Sequence, residues 1–230
     1  MSVTDQTIQQ LKASIVSGEF VPGQRLPTER DLAARLGVSR NTLREAIRAL
    51  TLGGILEARQ GDGTYVTSLA PGQLLDSFAL LIEMSQDATV LDMLAVRRVL
   101  EAEAASRAAA RITEEQLAEL AGCLDAMRHD PQAGEGTVDE VVSADARFHE
   151  VIMLAAANPV AGALVQSLSG RTLRARVWRG HADQGVFPRA VGEHEAIYEA
   201  VRDRDPARAA AAMSTHIAAV ESFLRGAKSD

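Results

Sequence analysis

The spacing of apolar residues in the amino-terminal third of the chain predicts three short helices followed by a hairpin. Two sets of apolar residues recur every three or four positions, as on one face of a helix: Ile8, Leu11 and Ile15 in the first set, and Leu43, Ile47 and Leu50 in the second. Between them, "ERDLAARL" follows Thr28 as an N-cap and ends at Gly37. We expect Thr4 and Ser39 to cap the other two helices. The runs "ILEARQ" and "TYVTS" flank "GDG" and predict two antiparallel strands.

The remainder of the chain has the apolar periodicity of helices almost throughout. The predicted helices lie near residues 73–86, 89–111, 114–129, 138–157, 159–180, 189–204 and 206–226. The breaks between them include "HDPQAGEG", which begins at His129, and "GHADQGVFP". Consecutive helices with mostly short connections pack as an antiparallel bundle. We therefore predict a mainly α protein, with three helices and a hairpin at residues 1–68, a linker "LAPGQ" at 69–73, and a bundle of about seven helices at 74–230.

Composition supports a helical protein and narrows its surroundings. Hydrophobic residues make up 47% of the chain and aromatic residues only 3%, with long alanine-rich runs. Alanine and leucine lead the helix propensity scale, whereas β-branched and aromatic residues lead the strand scale. Cys123 is the one cysteine, so no internal disulfide can form, as is common in a reducing compartment. No segment resembles a signal peptide or could span a bilayer. We expect a soluble, cytoplasmic protein without a membrane partner.

The charge of the chain is unevenly distributed. The net charge of −7 argues against indiscriminate binding to nucleic acid. Residues 1–68 nevertheless hold eight basic against seven acidic residues, whereas residues 69–230 hold 16 against 24. Five of the basic residues are regularly spaced arginines: Arg30, Arg35, Arg40, Arg44 and Arg48. An acidic body with a local arginine cluster indicates anion contact confined to the amino-terminal part.

The second and third predicted helices are joined by the tight turn "LGVS", which is typical of a helix-turn-helix. In that motif the second helix lies in the major groove, and its first turn here presents Ser39, Arg40, Asn41 and Thr42, followed by Arg44. Arginine can bind guanine through two donors, asparagine can bind adenine, and hydroxyl groups suit phosphates. Gly61 at the hairpin tip would let the backbone approach a groove, as in a winged helix. The alternative is a module that binds protein, with its arginines on a solvated face.

One long segment resembles a known family. "LPTERDLAARLGVSRNTLREAIRALTLGGILEARQGDGTYV" is similar, almost end to end, to the winged helix-turn-helix domain of GntR-type bacterial transcription regulators. The resemblance implies DNA binding. It implies that Arg30, Arg40 and Arg44 contact the operator, supported by a further set of residues: Ser39, Asn41, Thr42 and the wing at Gly61.

Three of the five histidines fall inside predicted helices of the bundle, beside apolar stripes: His149, His194 and His216. Taken singly, each is expected to be a core histidine with a hydrogen-bond partner. Asp145 lies one helical turn before His149 and shares its face, and a buried carboxylate is costly unless it is paired or coordinated. Three imidazoles and one carboxylate suit a divalent zinc, nickel or manganese ion. His129 and His181 fall in predicted loops, where we expect solvated side chains.

The same part of the chain resembles the all-helical effector (FCD) domain of the FadR-type branch of GntR regulators. The similarity is carried by "DARFHEVIMLAAANP" and "EHEAIYEAVRDRDPARAAAAMSTHI". It implies one metal ion held by four ligands: Asp145, His149, His194 and His216. From the ligand types we expect zinc before nickel or manganese. The resemblance also implies a homodimer and open metal positions for a small carboxylic acid. In "VRRVLEAEAASRAAARI", Arg97 either binds that acid or forms an ion pair with Glu101, and both alternatives stay open.

These features together predict a transcription regulator, expected to be a repressor, whose affinity for a double-stranded DNA operator is controlled by a small carboxylic acid at the metal. One alternative is the same regulator with a purely structural metal or none. A metal-dependent hydrolase is disfavoured because four protein ligands exceed the three that are usual in catalytic zinc sites. It would also leave the winged domain unexplained.

Overall fold

A computed structural model of the chain shows two compact units, Met1–Leu81 and Ile82–Asp230. The structure describes residues 1–72, 74–75, 90–129, 136–182 and 186–226, and at 171–182 and 186–187 it describes the backbone alone. The helix predicted at residues 73–86 lies almost entirely outside these ranges. The bounds of the linker at 69–73 and of the two domains beside it stay predictions.

The first unit contains the predicted three helices and hairpin. Its elements are α1 (Val3–Val16), α2 (Glu29–Leu36), α3 (Arg40–Leu52), β1 (Leu56–Arg59) and β2 (Gly63–Val66). The strands are antiparallel, with Leu56 opposite Val66 and Arg59 opposite Gly63. A single bridge between Arg25 and Tyr65 extends this small sheet on the β2 side.

Helix caps set the bounds of α1 to α3. Thr28 and Ser39 cap α2 and α3 as predicted, and Gly37 ends α2 in the left-handed conformation, with a φ of 66°. The predicted cap at Thr4 is wrong, because α1 begins after Ser2. The Ser2 hydroxyl accepts from the backbone N–H of Asp5 at 3.0 Å, and the Asp5 carboxylate accepts from that of Ser2 at 2.9 Å. A cap at Thr4 could not form such a box, because the residue three positions later is Thr7, which has no carboxylate or amide to accept from the backbone N–H of the cap.

The core of the first unit forms where α1 and α2 pack against α3. Leu43 and Leu50 are buried on α3 as predicted, whereas Ile47 is half-buried and Ala46 is buried beside them. The rest of this core comes from α1, α2, the hairpin and the loop after α1: Leu11, Phe20, Leu26, Leu32, Ala33, Leu56 and Val66. This packing fixes α3 against α2 and leaves Arg40, Asn41 and Arg44 exposed.

The second unit is a helical bundle. Its described helices are α4 (Val90–Arg111), α5 (Glu114–Met127), α6 (Val138–Ala155), α7 (Pro159–Ala182), α8 (Val186–Arg202) and α9 (Pro206–Gly226). Helix α4 packs against α6, α7, α8 and α9, with its most extensive contact on α9. A mainly α fold with an amino-terminal winged helix is therefore confirmed. None of the helices in the described ranges is long and apolar enough to cross a membrane.

Two helix bounds differ from the prediction around "GHADQGVFP". Helix α7 continues to Ala182, so the backbone at His181 is helical rather than part of a loop. Helix α8 begins at Val186, which places Pro188 inside its first turn. Proline is tolerated there because the first N–H groups of a helix have no intrahelical acceptor. His129, by contrast, lies in an exposed non-helical position as predicted.

Small side chains on α4 bring the surrounding helices close together. Ala104, Ala105, Ala108 and Ala109 are all buried on this helix. The helices around them contribute larger buried side chains: Phe148 and Ile152 from α6, Ile197 from α8, and Met213 and Ile217 from α9. The same three helices also carry buried histidines: His149 on α6, His194 on α8 and His216 on α9.

Candidate functional site

The four predicted metal ligands lie together inside the second unit. We name Asp145, His149, His194 and His216 the histidine cluster; α6 supplies the first two, α8 the third and α9 the fourth. One potential ligand atom from each residue lies within 4.8 Å of the others. The three histidine residues are 3%, 0% and 2% exposed, and the side chain of Asp145 is 14% exposed. The cluster is therefore a closed group of metal-ligating side chains with the carboxylate as its most accessible member.

The imidazole rings face one another across the cluster. The ring centroids of His194 and His216 are 4.3 Å apart, and those of His149 and His216 are 5.2 Å apart. Asp145 Oδ1 lies 3.1 Å from Nε2 of His194 and 3.9 Å from Nε2 of His149. Phe148, fully buried, packs edge-on against the His194 ring with centroids 4.9 Å apart. Nε2 is thus the nitrogen that faces Asp145 in two of the rings.

Each histidine uses Nδ1 for a partner outside the cluster. His149 Nδ1 contacts Oε2 of Glu101 on α4. His216 Nδ1 lies 2.8 Å from Oε2 of Glu193, and His194 Nδ1 lies 2.7 Å from the backbone carbonyl of Ala190, both on α8. Carbonyl and carboxylate oxygens accept hydrogen bonds, so these partners place the proton on Nδ1 and leave the Nε2 lone pair for a metal.

The donor set fits a divalent metal. Nε2 of His194 is buried and makes no hydrogen bond within the described part of the chain. With its proton on Nδ1, this nitrogen presents a lone pair to the carboxylate oxygen 3.1 Å away. Two acceptors facing each other in a buried site are unfavourable, and a cation between them would satisfy both. Three imidazoles and one carboxylate suit zinc, nickel or manganese.

Arg97 lies in a buried ion pair next to the cluster. Its Nε donates to Oε1 of Glu101 at 2.6 Å, and both side chains are buried. This is one of the two alternatives that the sequence left open for Arg97. A contact between Arg97 and an effector stays a prediction.

Sequence reasoning missed two residues that hold the histidines. It identified Glu101 only as a partner of Arg97, because their four-residue spacing places them one helical turn apart. The contact between Glu101 and His149 spans 48 positions, and that between Glu193 and His216 spans 23. No local pattern signals such pairs, since they depend on how the helices pack.

The predicted DNA contacts lie on the exposed side of α2, α3 and the hairpin in the first unit. Arg40 and Arg44 lie one turn apart on α3, and both face Glu29, the first residue of α2. Arg44 Nε donates to Glu29 Oε2 at 2.7 Å, and an Arg40 terminal nitrogen lies 3.7 Å from the same oxygen. A single carboxylate therefore holds the two arginines side by side at the start of α3.

The other predicted DNA contacts surround this pair. The hydroxyls of Ser39 and Thr42 lie 2.8 Å apart, and the Ser39 hydroxyl also caps α3. Asn41 is exposed in the same turn. Arg30 extends into solvent near Asp31, with Nε 3.2 Å from its carboxylate. Gly61 occupies the hairpin tip with a φ of 76°.

Two further arginines that the sequence analysis did not select lie at the hairpin: Arg59 at the end of β1, and Arg25, which bridges to β2 from the loop after α1. The Arg59 guanidinium stacks over the Tyr65 ring at 4.2 Å from its centroid. The Tyr65 hydroxyl donates to Asp62 at 2.6 Å, and this bond raises the pKa of Tyr65 above its usual value. Arg25 lies against Gly63, where a Cβ atom would come 2.8 Å from Arg25 Nε. Each of these arginines also has a carboxylate neighbour: Arg25 lies 3.6 Å from Asp62, and Arg59 lies 3.4 Å from Glu57. The arginines at the wing are therefore oriented by ion pairs as well as by the Tyr65 ring.

Both parts of the chain match known families. Residues 3–66 match the bacterial regulatory proteins of the gntR family, and residues 92–219 match the FCD domain. The two matches together contain all seven predicted DNA contacts, the whole histidine cluster, and Arg97.

Relatives and solved structures extend the comparison over nearly the whole chain. The galactonate operon transcriptional repressor of Escherichia coli (strain K12) is 31% identical over 223 residues, covering 95% of each chain. The HTH-type transcriptional regulator LutR of Bacillus subtilis (strain 168) is 34% identical over 220 residues, covering 92% of this chain and 96% of LutR. The structure of Streptococcus agalactiae GntR is 28% identical with a TM-score of 0.68, covering 96% of this chain and 100% of that one.

Proposed function

Because the chain belongs to the GntR family of bacterial regulatory proteins and carries an FCD domain, we propose that it is a metal-dependent repressor controlled by a small carboxylic acid. In this proposal a homodimer binds a double-stranded DNA operator through its winged helices. The acid binds at a divalent metal held by the histidine cluster, and its binding changes the affinity for the operator.

The arrangement of the three histidine rings is the main support for a metal in the cluster. Each ring has its Nδ1 bonded to a hydrogen-bond acceptor, which leaves Nε2 as the metal-binding atom. Asp145 adds a carboxylate within reach of two of these Nε2 atoms. Core histidines of purely structural function need no such common orientation.

A metal in this cluster would supply coordination positions that a carboxylate can fill, since nickel and manganese accept more ligands than the four that the chain provides. Asp145 is the most accessible member of the cluster, so a small molecule would approach from its side. A relative that is 31% identical is named for the galactonate operon, and galactonate is a hydroxycarboxylic acid. This supports hydroxycarboxylic acids as the first class of effector to test.

For DNA binding we propose that Arg40 and Arg44 contact base edges in the major groove. Their side chains are exposed, and arginine forms bidentate hydrogen bonds with guanine. A second set of residues would contact the DNA backbone and the neighbouring groove: Arg30, Ser39, Asn41, Thr42 and the wing at Gly61. A homodimer would place two such helices on the two halves of an operator.

Control by the acid requires that it bind the DNA-competent and DNA-incompetent states with different affinities. A hundredfold difference in acid affinity would change the equilibrium between those states by about 2.7 kcal/mol. A repressor of this kind releases its operator when the acid favours the incompetent state.

A regulator with a purely structural metal is the second candidate. The deep burial of the three histidines favours it, because structural metal sites are closed. A structural metal predicts that chelation unfolds the second unit and that no acid changes operator affinity while the metal is bound.

The first experiment is metal content by mass spectrometry on the full, tag-free chain. We expect about one zinc, nickel or manganese per chain in wild type, and loss of that metal in His194→Ala, because this ring provides one of four ligands. His129→Ala is the matched control, since His129 is exposed and outside the cluster. Equal metal content in wild type and His194→Ala would refute the assignment.

The second measurement separates the two candidates. Operator affinity of the metal-loaded chain is followed by fluorescence anisotropy while lactate, gluconate, galactonate or acetate is added. A change that His194→Ala abolishes supports the effector site. No change with any acid, together with unfolding on chelation, would favour the structural metal.

A further inference from the structure

The buried ion pair between Arg97 and Glu101 borders the histidine cluster on α4. Both side chains are removed from solvent, at 3% and 1% exposure. Taking two charges out of water costs a large part of what their attraction returns, so a buried pair of this kind is a poor device for stability alone. The other contacts of Glu101 therefore indicate what role the ion pair has besides stability.

Glu101 uses its two carboxylate oxygens for different partners. Oε1 accepts the hydrogen bond from Arg97 Nε at 2.6 Å, and Oε2 contacts Nδ1 of His149. The carboxylate thus connects an arginine of α4 to a histidine of α6. Because one oxygen is held by the guanidinium, the other is kept in a fixed direction toward the imidazole.

The three histidines of the cluster differ in the partner of Nδ1. His194 bonds to a backbone carbonyl of its own helix, four residues earlier. His216 bonds to Glu193, whose side chain is 24% exposed, so water can compete for that carboxylate. His149 bonds to a carboxylate that is buried and is itself held by an arginine. Glu101 is therefore the partner whose loss the surrounding solvent is least able to replace.

We propose that Glu101 is a positioning residue of the metal site, which fixes the tautomer and the orientation of His149, and that Arg97 acts on the site through Glu101. This inference rests on the proposed function, in that it requires a divalent metal in the histidine cluster. It assigns to Arg97 a role in holding the metal ligands, in place of a direct contact with the acid.

The test is zinc affinity of the full-length chain, measured by competition with a chromophoric chelator. Glu101→Gln keeps the volume of the side chain but places an amide group where His149 and Arg97 both present donors. We expect it to weaken zinc binding roughly 10- to 100-fold, as is usual when the partner of a ligating histidine is lost.

Glu221→Gln is the matched control. Glu221 is also a buried carboxylate that pairs with an arginine of α4, at 3.4 Å from Arg98 Nε, and it is not a member of the cluster. We expect it to bind zinc as wild type does. A comparable loss in Glu221→Gln would show that any neutralised buried carboxylate disturbs the bundle, and would overturn the inference.

A second readout separates positioning from general destabilisation. In long-range proton–nitrogen correlation spectra of the zinc-loaded wild-type chain, His149 should carry its proton on Nδ1 and bind zinc through Nε2. This measurement needs no variant, so it holds even if Glu101→Gln does not fold. A His149 that binds zinc through Nδ1 would overturn the inference.

The outcomes for the inference and for the proposed function are distinct. Wild type that binds zinc, with Glu101→Gln binding equally well, overturns the role of Glu101 and leaves the metal site standing. Wild type that binds no zinc, nickel or manganese overturns both. A 10-fold or larger loss confined to Glu101→Gln supports both.

Discussion

The position of one proton on each imidazole decides what the histidine cluster can bind. A histidine that donates from Nδ1 to an outside acceptor offers the lone pair of Nε2 to the interior, and all three rings have such an acceptor. The acceptors are the backbone carbonyl of Ala190, the carboxylate of Glu193, which is 24% exposed, and the buried carboxylate of Glu101. Water can compete for Glu193, whereas Glu101 is buried and held by Arg97, so solvent is least able to replace it as the partner of His149.

Arg97 gives the residue-scale prediction. Arg97→Gln removes the guanidinium but keeps an amide donor for Glu101. At saturating zinc, where weaker metal binding no longer matters, we expect the acid to change operator affinity in this variant by the same factor as in wild type. The measurement is an anisotropy titration of operator DNA with and without acid.

Loss of the response to the acid in Arg97→Gln would contradict this prediction. A response to the acid that disappears in Arg97→Gln, although zinc remains bound, would show that the guanidinium contacts the acid directly. Arg98→Gln is the matched control, because Arg98 neighbours Arg97 in sequence but pairs with Glu221.

At the scale of the elements, the packing of α2 against α3 brings a carboxylate to the proposed DNA-reading arginines. Glu29 lies at the first position of α2, where a negative charge is favoured by the helix dipole, and it accepts from Arg44. It therefore orients the arginines in the free protein and also competes with phosphate for them.

We expect Glu29→Gln to raise the affinity for non-specific duplex DNA about two- to fivefold. An exposed ion pair contributes on the order of 0.5–1 kcal/mol, and this free energy no longer has to be lost when the arginines bind phosphate. Specific affinity should rise less, because the arginines lose their fixed orientation, so the ratio of specific to non-specific binding should fall. Anisotropy titrations with operator and with scrambled duplex at one salt concentration measure both.

Glu45→Gln serves as the control for this prediction, since Glu45 is exposed on α3 and pairs with Arg48 at 2.9 Å. A Glu29→Gln chain that loses affinity for both duplexes would contradict the prediction. It would show that Glu29 itself contacts DNA or that α3 depends on it.

Most elements were predictable because their signals are local. Apolar spacing and caps such as Thr28 and Ser39 fixed α2 and α3, and the prolines at 159 and 206 marked the starts of α7 and α9. The cap at Thr4 failed because a capping box depends on two residues together, and here Ser2 and Asp5 complete it. Pro188 was misleading because proline in the first turn of a helix was interpreted as a break.

The candidate site was predictable only in part for the same reason. Asp145 and His149 share a helix face, and His194 and His216 each border an apolar stripe, so local spacing already indicated inward-facing ligands. The family resemblance then implied that all four hold one metal. Glu101 and Glu193 could not be recognised as their partners, because the contacts join different helices or distant turns. Position in the packed bundle, rather than a sequence pattern, determines them.

On the scale of the whole molecule, the matched families confirm the predicted class of protein. The chain is a GntR-family transcription regulator with an FCD effector domain and not an enzyme, since its families and relatives are transcription regulators. The two units have separate hydrophobic cores, one built around α3 and the other around α4. The histidine cluster lies entirely within the second.

Separate cores predict separate responses to metal. Zinc should stabilise the second unit by about 2.7 kcal/mol when its free concentration is a hundredfold above Kd, because it binds only the folded cluster. For a unit of this size that corresponds to a rise in Tm of about 5–10 °C. We expect calorimetry of the full chain to show two transitions, of which only one moves with zinc, and no movement in His194→Ala. A single transition that moves as a whole would show instead that the two units unfold together, so that metal binding in the bundle also stabilises the winged helix.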